Sequence, residues 1–138
     1  MASSIPRARR KDYADAQVAK NLKIAFFTEM AAYDELTATT YAAVAAICTE
    51  VSSAGTGYTT GGYALMGKSS SLLSTNGATM TANPTSVANA TFATRYGVIY
   101  DSATGNIEGV QDWLATYTVT NGTITVTPSA TDGIFKYV

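Results

Sequence analysis

The sequence predicts an all-β fold, mainly an antiparallel, sandwich-like arrangement of strands with one short α-helix and an extended basic N-terminal arm. Threonine occurs 22 times in 138 residues, and β-branched residues favour the pleated surface of strands. Short alternations of apolar and polar residues are separated by Gly, Asn and Pro turn signals, as small β domains require. One alanine-rich segment alone has the helical spacing of apolar residues.

Residues 1–17 form the predicted arm, and residues 18–138 the single β-rich domain. The arm has no clear apolar period and contains Pro6, which indicates an extended or partly helical segment. From residue 1 to residue 23 six bases stand against two acids (+4), and beyond them three bases stand against eight acids (−5), which sum to the net charge of −1. A basic arm therefore precedes an acidic body. Its clustered cations are Arg7, Arg9, Arg10 and Lys11.

The first strand and the helix follow the arm. Residues 21–28 alternate apolar and other side chains, which predicts a half-buried strand. Residues 37–52 place apolar side chains three to four positions apart, which predicts the helix. Gly55 and Gly57 come just after this run, so we expect them to end the helix.

The strongest local pattern predicts a β-hairpin near the C-terminus. Residues 116–120 and 123–127 are alternating runs joined by Asn121-Gly122. Asn-Gly suits both positive-φ positions of a type I′ turn, so the turn would fix the register. Val119 would then face Ile124 across the two strands.

Upstream of the hairpin, the sequence predicts a second pair of strands. Residues 92–100 form one strand, residues 101–106 a loop, and residues 107–115 the return partner. Weaker strand signals lie at 58–66, 72–73 and 78–82, around possible turns at Asn76-Gly77 and Asn83-Pro84.

Residues 62–69 match the letters G-x-x-x-x-G-K-S of a phosphate-binding loop. That site needs a buried strand before it, small residues within it and a helix whose N-terminus meets the phosphates. Here the loop interior is Tyr-Ala-Leu-Met and a Ser-rich run follows. We interpret the segment as a strand and a turn, with a nucleotide-binding protein using Gly62 to Ser69 as an alternative.

Composition excludes several enzyme classes. The chain has no histidine and one cysteine, so it has neither a Ser-His-Asp triad nor a cysteine zinc site. The ten carboxylates are scattered and predict no acid pair. We expect no catalytic residues, no cofactor and no metal. Cys48 lies on the apolar face of the predicted helix, so we expect it in the core.

The arm predicts a protein partner more than nucleic acid or a membrane. No apolar run follows the basic cluster, and no stretch of about 18 apolar residues occurs, so we expect no signal peptide and no membrane span. The clustered bases suit an acidic protein surface, while the acidic body would repel nucleic acid. A solvated, idle tail is the simpler alternative.

Three phrases in order resemble small tailed-bacteriophage virion proteins: LKIAFFT at 22–28, EVSSAGTGYTTGG at 50–62 and ATFATRYGVIYD at 90–101. Similar phrases in that group read LKIALYT, EVSGTGYTAGG and ATFTARYAVIYD. The likeness covers residue 22 to the C-terminus. It implies a non-enzymatic head decoration (cement) protein, a homotrimer on the outer surface of the major capsid protein lattice, which stabilises the head after assembly in the host cytoplasm.

This chain adds the basic arm and residues 37–48 to the pattern of that group. Because the arm and the body differ in charge, we expect Arg7, Arg9, Arg10 and Lys11 to contact the capsid. A tail or head-fibre protein involved in host attachment is the alternative within the virion.

Overall fold

The computed structural model describes residues 5–73 and 77–137 and is mostly antiparallel β, which confirms the predicted fold class. The chain divides into two compact units, the described parts of 1–20, 65–85 and 126–138, and residues 21–64 with 86–125. The elements are α1 (Arg7–Ala19), β1 (Leu22–Glu29), α2 (Tyr41–Ile47), β2 (Thr49–Glu50), β3 (Tyr63–Ala64), β4 (Ser69–Leu72), β5 (Ala78–Thr81), β6 (Thr85–Asp101), β7 (Ile107–Val126) and β8 (Phe135–Tyr137).

The first unit is helix α1 packed on an antiparallel sheet in the order β4-β5-β8. Met80 and Ala78 of the central strand are fully buried. The Tyr13 ring of α1 lies 5.9 Å from the Tyr137 ring of β8. Burial of these apolar groups supplies the main stabilisation of the unit.

Of the two predicted states of the N-terminal segment, extended or partly helical, the structure has the helical one, from Arg7 to Ala19. The chain therefore has two helices where the sequence predicted one. Alanine and long charged side chains favour a helix, and Pro6 precedes its first turn, where proline is tolerated. Ala14 is completely buried. Helix α1 also runs past residue 17, where the sequence placed the start of the body. The sequence did not predict the full length of the helix, because its apolar face is too narrow to show a period.

The second unit contains a sheet in the order β2-β1-β6-β7, with β3 also pairing with β1. β1 and β6 are antiparallel, from Leu22 opposite Asp101 to Phe27 opposite Tyr96. The predicted first strand is confirmed, but it is buried on both faces. Phe27 packs in a cluster with helix α2, and Phe26 packs among aromatic rings on the other face.

Helix α2 is shorter than predicted. Its N-cap is Thr40, whose hydroxyl accepts the Ala43 N–H at 3.2 Å. The helix ends at Ile47, and Gly55 and Gly57 do not terminate it, because β2 must pair with β1 directly afterwards. The neighbouring Cys48 is a buried free thiol, as predicted.

The predicted hairpin at Asn121-Gly122 is wrong, because β7 passes through both residues as one strand. A type I′ turn needs positive φ at both positions, and only Asn121 has it, at 47°. The Asn121 N–H donates to the Thr91 hydroxyl of β6 at 3.0 Å, so Asn121 marks a bulge in the pair of β6 and β7.

The other predicted strand pair is confirmed and is longer than expected. Residues 92–100 lie within β6, and residues 107–115 begin β7 after an intervening loop. The weaker signals at 58–66 and 78–82 contain β3 and β5, whereas the signal at 72–73 shares only Leu72 with β4. Asn83-Pro84 lies between β5 and β6, whereas Asn76 lies outside the described residues.

Candidate functional site

Two of the predicted capsid-contact cations lie on the exposed surface of α1 in pairs with acids of the same helix. Arg9 contacts Asp12 at 3.0 Å, and Lys11 contacts Asp15 at 2.7 Å. Lys11 also donates to the Ser70 hydroxyl at 3.0 Å. The hydrogen bond from Lys11 holds the pKa of Asp15 below its ordinary value. Exposed pairs of this kind contribute little to stability, so both cations can exchange partners.

The other two predicted cations have more structural surroundings. Arg10 is only 6% exposed, one turn before the buried Ala14. Arg7 is exposed and donates through its guanidinium to the Leu73 carbonyl. The four side chains therefore do not form one free basic patch. Arg7, Arg9 and Lys11 face solvent at least in part, while Arg10 belongs to the interior of the first unit.

The phosphate-loop letters at residues 62–69 have a different local structure. Gly62 has φ 77°, and a Cβ there would overlap the Ile24 carbonyl. The Lys68 ammonium donates to the Lys20 carbonyl. Strand β4 begins at Ser69, where a nucleotide site would need a helix N-terminus. This geometry gives the nucleotide-binding alternative no support.

A half-buried carboxylate organises the loop between β2 and β3. Glu50 accepts hydrogen bonds from the Tyr41 hydroxyl at 2.6 Å, the Tyr58 hydroxyl at 2.7 Å and the Gly61 N–H at 2.8 Å. The Tyr100 hydroxyl donates to the Gly61 carbonyl at 2.6 Å. The cluster fixes residues 51–62 on the sheet.

The tyrosines of this cluster resist ionisation. Burial, followed by the Glu50 carboxylate, raises the pKa of Tyr58 and of Tyr41 far above the ordinary value of 10.0. Burial is also the main cause of the raised pKa of Tyr100. These hydroxyls are therefore permanent donors at physiological pH. With three donors on one carboxylate, the cluster is suited to holding structure and not to proton transfer.

Strands β6 and β7 present an exposed leucine through a chain of polar contacts. The Arg95 guanidinium makes two bonds to the Asp112 carboxylate, at 2.9 and 3.1 Å. These bonds lower the pKa of Asp112. Asp112 Oδ1 also accepts the Leu114 N–H at 2.8 Å. Leu114 has φ 63° and is 81% exposed. A positive φ is uncommon for a residue with a large side chain, and strained residues of this kind cluster at functional sites.

The strand that carries Leu114 is the outermost of its sheet and has an unusual composition. Trp113 to Thr131 contains no charged residue. Tyr117 is 53% exposed, and the threonines around it are exposed as well. Sequence reasoning missed this surface because it folded the two halves of the strand onto each other. Two features of the sequence could have indicated this surface: the run without charged residues, and the bulky Leu114 that follows Asp112.

Two further features concern metal binding and surface grooves. In residues 5–73 and 77–137, no group of three or more His, Cys, Asp or Glu side chains could hold a metal ion. An open groove is lined by Tyr33, Glu35, Thr39 and residues 107–110. Neither α1 nor α2 is long and apolar enough to cross a membrane.

Comparisons with family models, with curated proteins and with solved structures found no match to this chain. The phage likeness therefore depends on the three phrases of the sequence alone.

Proposed function

We propose that this protein is a non-enzymatic bacteriophage virion structural protein, a decoration protein that binds the outer surface of the major capsid protein lattice and stabilises the head. The single observation that carries the proposal is the resemblance of its three phrases to small tailed-phage proteins. The positions of those phrases in the fold make the resemblance more informative.

All three phrases lie in the second unit and form one substructure. Residues 22–28 lie in β1, and residues 90–101 lie in β6, the strand that pairs with β1. Residues 50–62 form the loop that Glu50 holds against the sheet. Because the three phrases together specify one substructure, their likeness carries more weight than a likeness of segments that do not contact one another.

The second unit offers a stiff scaffold for attachment to a lattice. A decoration protein needs a rigid scaffold and contacts that recur in every copy, because weak contacts add up when neighbouring subunits are bound together. The sheet of the second unit supplies the scaffold, with Phe26 and Phe27 fully buried on its two faces.

Helix α1 supplies the cationic part of the proposed capsid contact. Arg9 and Lys11 form ion pairs with exposed acids of their own helix, and Lys11 also bonds to the Ser70 hydroxyl. Arg7 is exposed next to them. An acidic seam of the shell can replace those partners at little cost. Arg10 is buried in the first unit, so the proposed capsid contact does not include it.

Binding to shells that lack the protein tests the proposal. Wild-type protein should bind in saturable fashion, with a fixed number of copies per particle, and should raise the temperature at which the shell disassembles. Arg9→Ala combined with Lys11→Ala should weaken binding at low salt. Lys136→Ala, which removes another exposed, acid-paired cation, is the matched control and should bind as wild type. Absence of binding by the wild type to shells would contradict the proposal, and binding to tails would favour the fibre alternative.

A further inference from the structure

We infer that the outer edge of β7 pairs with a second copy of this chain through residues Thr116–Thr120. β7 ends the strand order of its sheet, and in the described parts of the chain no strand lies beyond it. Its inner edge faces β6, as the contacts of Thr91 with Asn121 and of Ser86 with Thr125 show. The outer backbone groups of β7 are therefore free to pair with another strand.

This edge lacks the protection that monomeric proteins usually have. Exposed edge strands are commonly blocked by lysine, proline, inward-facing charges or short length. Residues 115–120 contain no charged residue and no proline, and all of them except Val119 are exposed. Leu114 and Asn121, both with positive φ, bound the segment. They leave six regular residues, about 20 Å of strand, which matches the length of an ordinary strand.

The sequence of the segment favours its own copy as the partner. Thr-Tyr-Thr-Val-Thr reads almost the same in both directions. In an antiparallel pair centred on Thr118, that residue faces its own counterpart, Tyr117 faces Val119, and Thr116 faces Thr120. Threonine pairs and aromatic pairs with β-branched residues are favourable across strands.

Charge gives the same indication. A partner of opposite sign would need charges on this edge, and Trp113 to Thr131 has none. The net charge of the whole chain is −1, so two copies repel each other only weakly. The same alternation that predicted a hairpin within the chain is therefore available for pairing between chains.

The two exposed apolar side chains of this edge strengthen the contact. The backbone N–H of Leu114 is held by the Asp112 carboxylate, which Arg95 contacts in turn, and Tyr117 is exposed on the segment itself. A backbone that is already fixed in position loses little entropy on binding. A role in the interface accounts for the strained backbone conformation of Leu114, because interfaces concentrate their binding energy in a few residues.

Sedimentation equilibrium of the isolated full-length chain tests the pairing without any capsid. Wild type should have the mass of two copies at high concentration and should dissociate on dilution. Thr118→Lys and Thr118→Glu should each raise the dissociation constant about ten-fold or more, because like charges would face each other across the two-fold axis. An equimolar mixture of the two variants should recover the two-copy mass, since only the mixed pair joins opposite charges.

Thr60→Lys is the matched control, because Thr60 is an exposed threonine in the loop before β3, and this variant should associate as wild type does. Circular dichroism confirms that each variant is folded. A wild type that stays a single copy at every concentration overturns the inference, as does the three-copy mass implied by the resemblance. Failure of the mixture to recover the pair overturns the register at Thr118. None of these results depends on capsid binding.

Discussion

The Glu50 carboxylate accepts the Tyr58 hydroxyl at 2.7 Å, and the same hydroxyl accepts the Phe26 N–H of β1 at 3.0 Å. One side chain thus connects the loop after β2 to the central part of the sheet. Tyr58 is buried, and its ring packs 5.7 Å from that of Phe26. This connection explains why the phrase at residues 50–62 combines an acid, a tyrosine and glycines.

Tyr58→Phe should lower the free energy of unfolding by about 1–3 kcal/mol, because the buried Phe26 N–H loses its partner and a half-buried Glu50 oxygen loses one of its donors. Urea denaturation measures the change. Tyr117→Phe, at an exposed tyrosine, is the control and should leave stability nearly unchanged. Equal stabilities of the two variants would contradict the role given to Tyr58.

Stability should fall as pH rises above about 10. The unfolded chain releases its tyrosine protons near the ordinary value of 10.0, whereas burial raises the pKa of folded Tyr58 and Tyr41 well above it. The unfolded state then binds fewer protons than the folded state, so the free energy of unfolding decreases with pH. The stabilisation is fully present below the unfolded value and is lost as pH rises toward the folded values.

Thermal unfolding at a series of alkaline pH values measures this loss, and tyrosinate absorbance of the native protein provides a second readout. The native protein should ionise fewer tyrosines at pH 11 than the urea-denatured protein. Tyr58→Phe should reduce the slope of stability against pH. An unchanged slope in that variant would contradict the role of Tyr58 in the pH dependence of stability.

Gly62→Ala should destabilise the second unit strongly, while Gly105→Ala should cost about 1 kcal/mol. Both glycines have positive φ, 77° and 80°, but only at Gly62 would a Cβ overlap backbone, at Ile24. Steric overlap should add at least about 2 kcal/mol to the backbone strain that the two sites share. Comparable losses in urea denaturation would show that Gly62 is needed only for its φ.

Leu114→Gly should stabilise the single copy by about 0.5–1 kcal/mol and weaken self-association. Glycine adopts positive φ without the penalty that leucine pays, and the substitution removes an apolar contact. Asn121→Gly is the control, because asparagine tolerates its φ of 47°. Urea denaturation and sedimentation of the same samples give both quantities. A loss of stability at Leu114→Gly would contradict the assignment of strain to this residue.

The sequence predicted the elements whose signals are local and agree with one another. The alternation at residues 22–28 and the turn residues at 101–106 correspond to β1 and to the loop before β7. Helix α1 was predicted only as one of two alternatives, because long-range packing on β4, β5 and β8 stabilises it, and such packing leaves no period in a segment with a narrow apolar face.

The Asn121-Gly122 error has a similar origin. The dipeptide is compatible with a turn and with a bulge, and the choice depends on whether residues 123–127 find a better partner elsewhere. Strand β6 is that partner, through contacts such as Ser86 with Thr125 at 2.9 Å. The exposed edge of β7 depends on this long-range pairing, so the local sequence pattern does not predict it. The cations of the N-terminus are visible in the sequence, but their pairing with acids is not.

Cryo-electron microscopy of the assembled phage particle tests the central proposal most directly, by locating this chain and counting its copies. We expect density for this chain on the outer surface of the capsid lattice at every equivalent position, with helix α1 directed toward the shell. Density confined to the tail, or a particle without this chain, would contradict it.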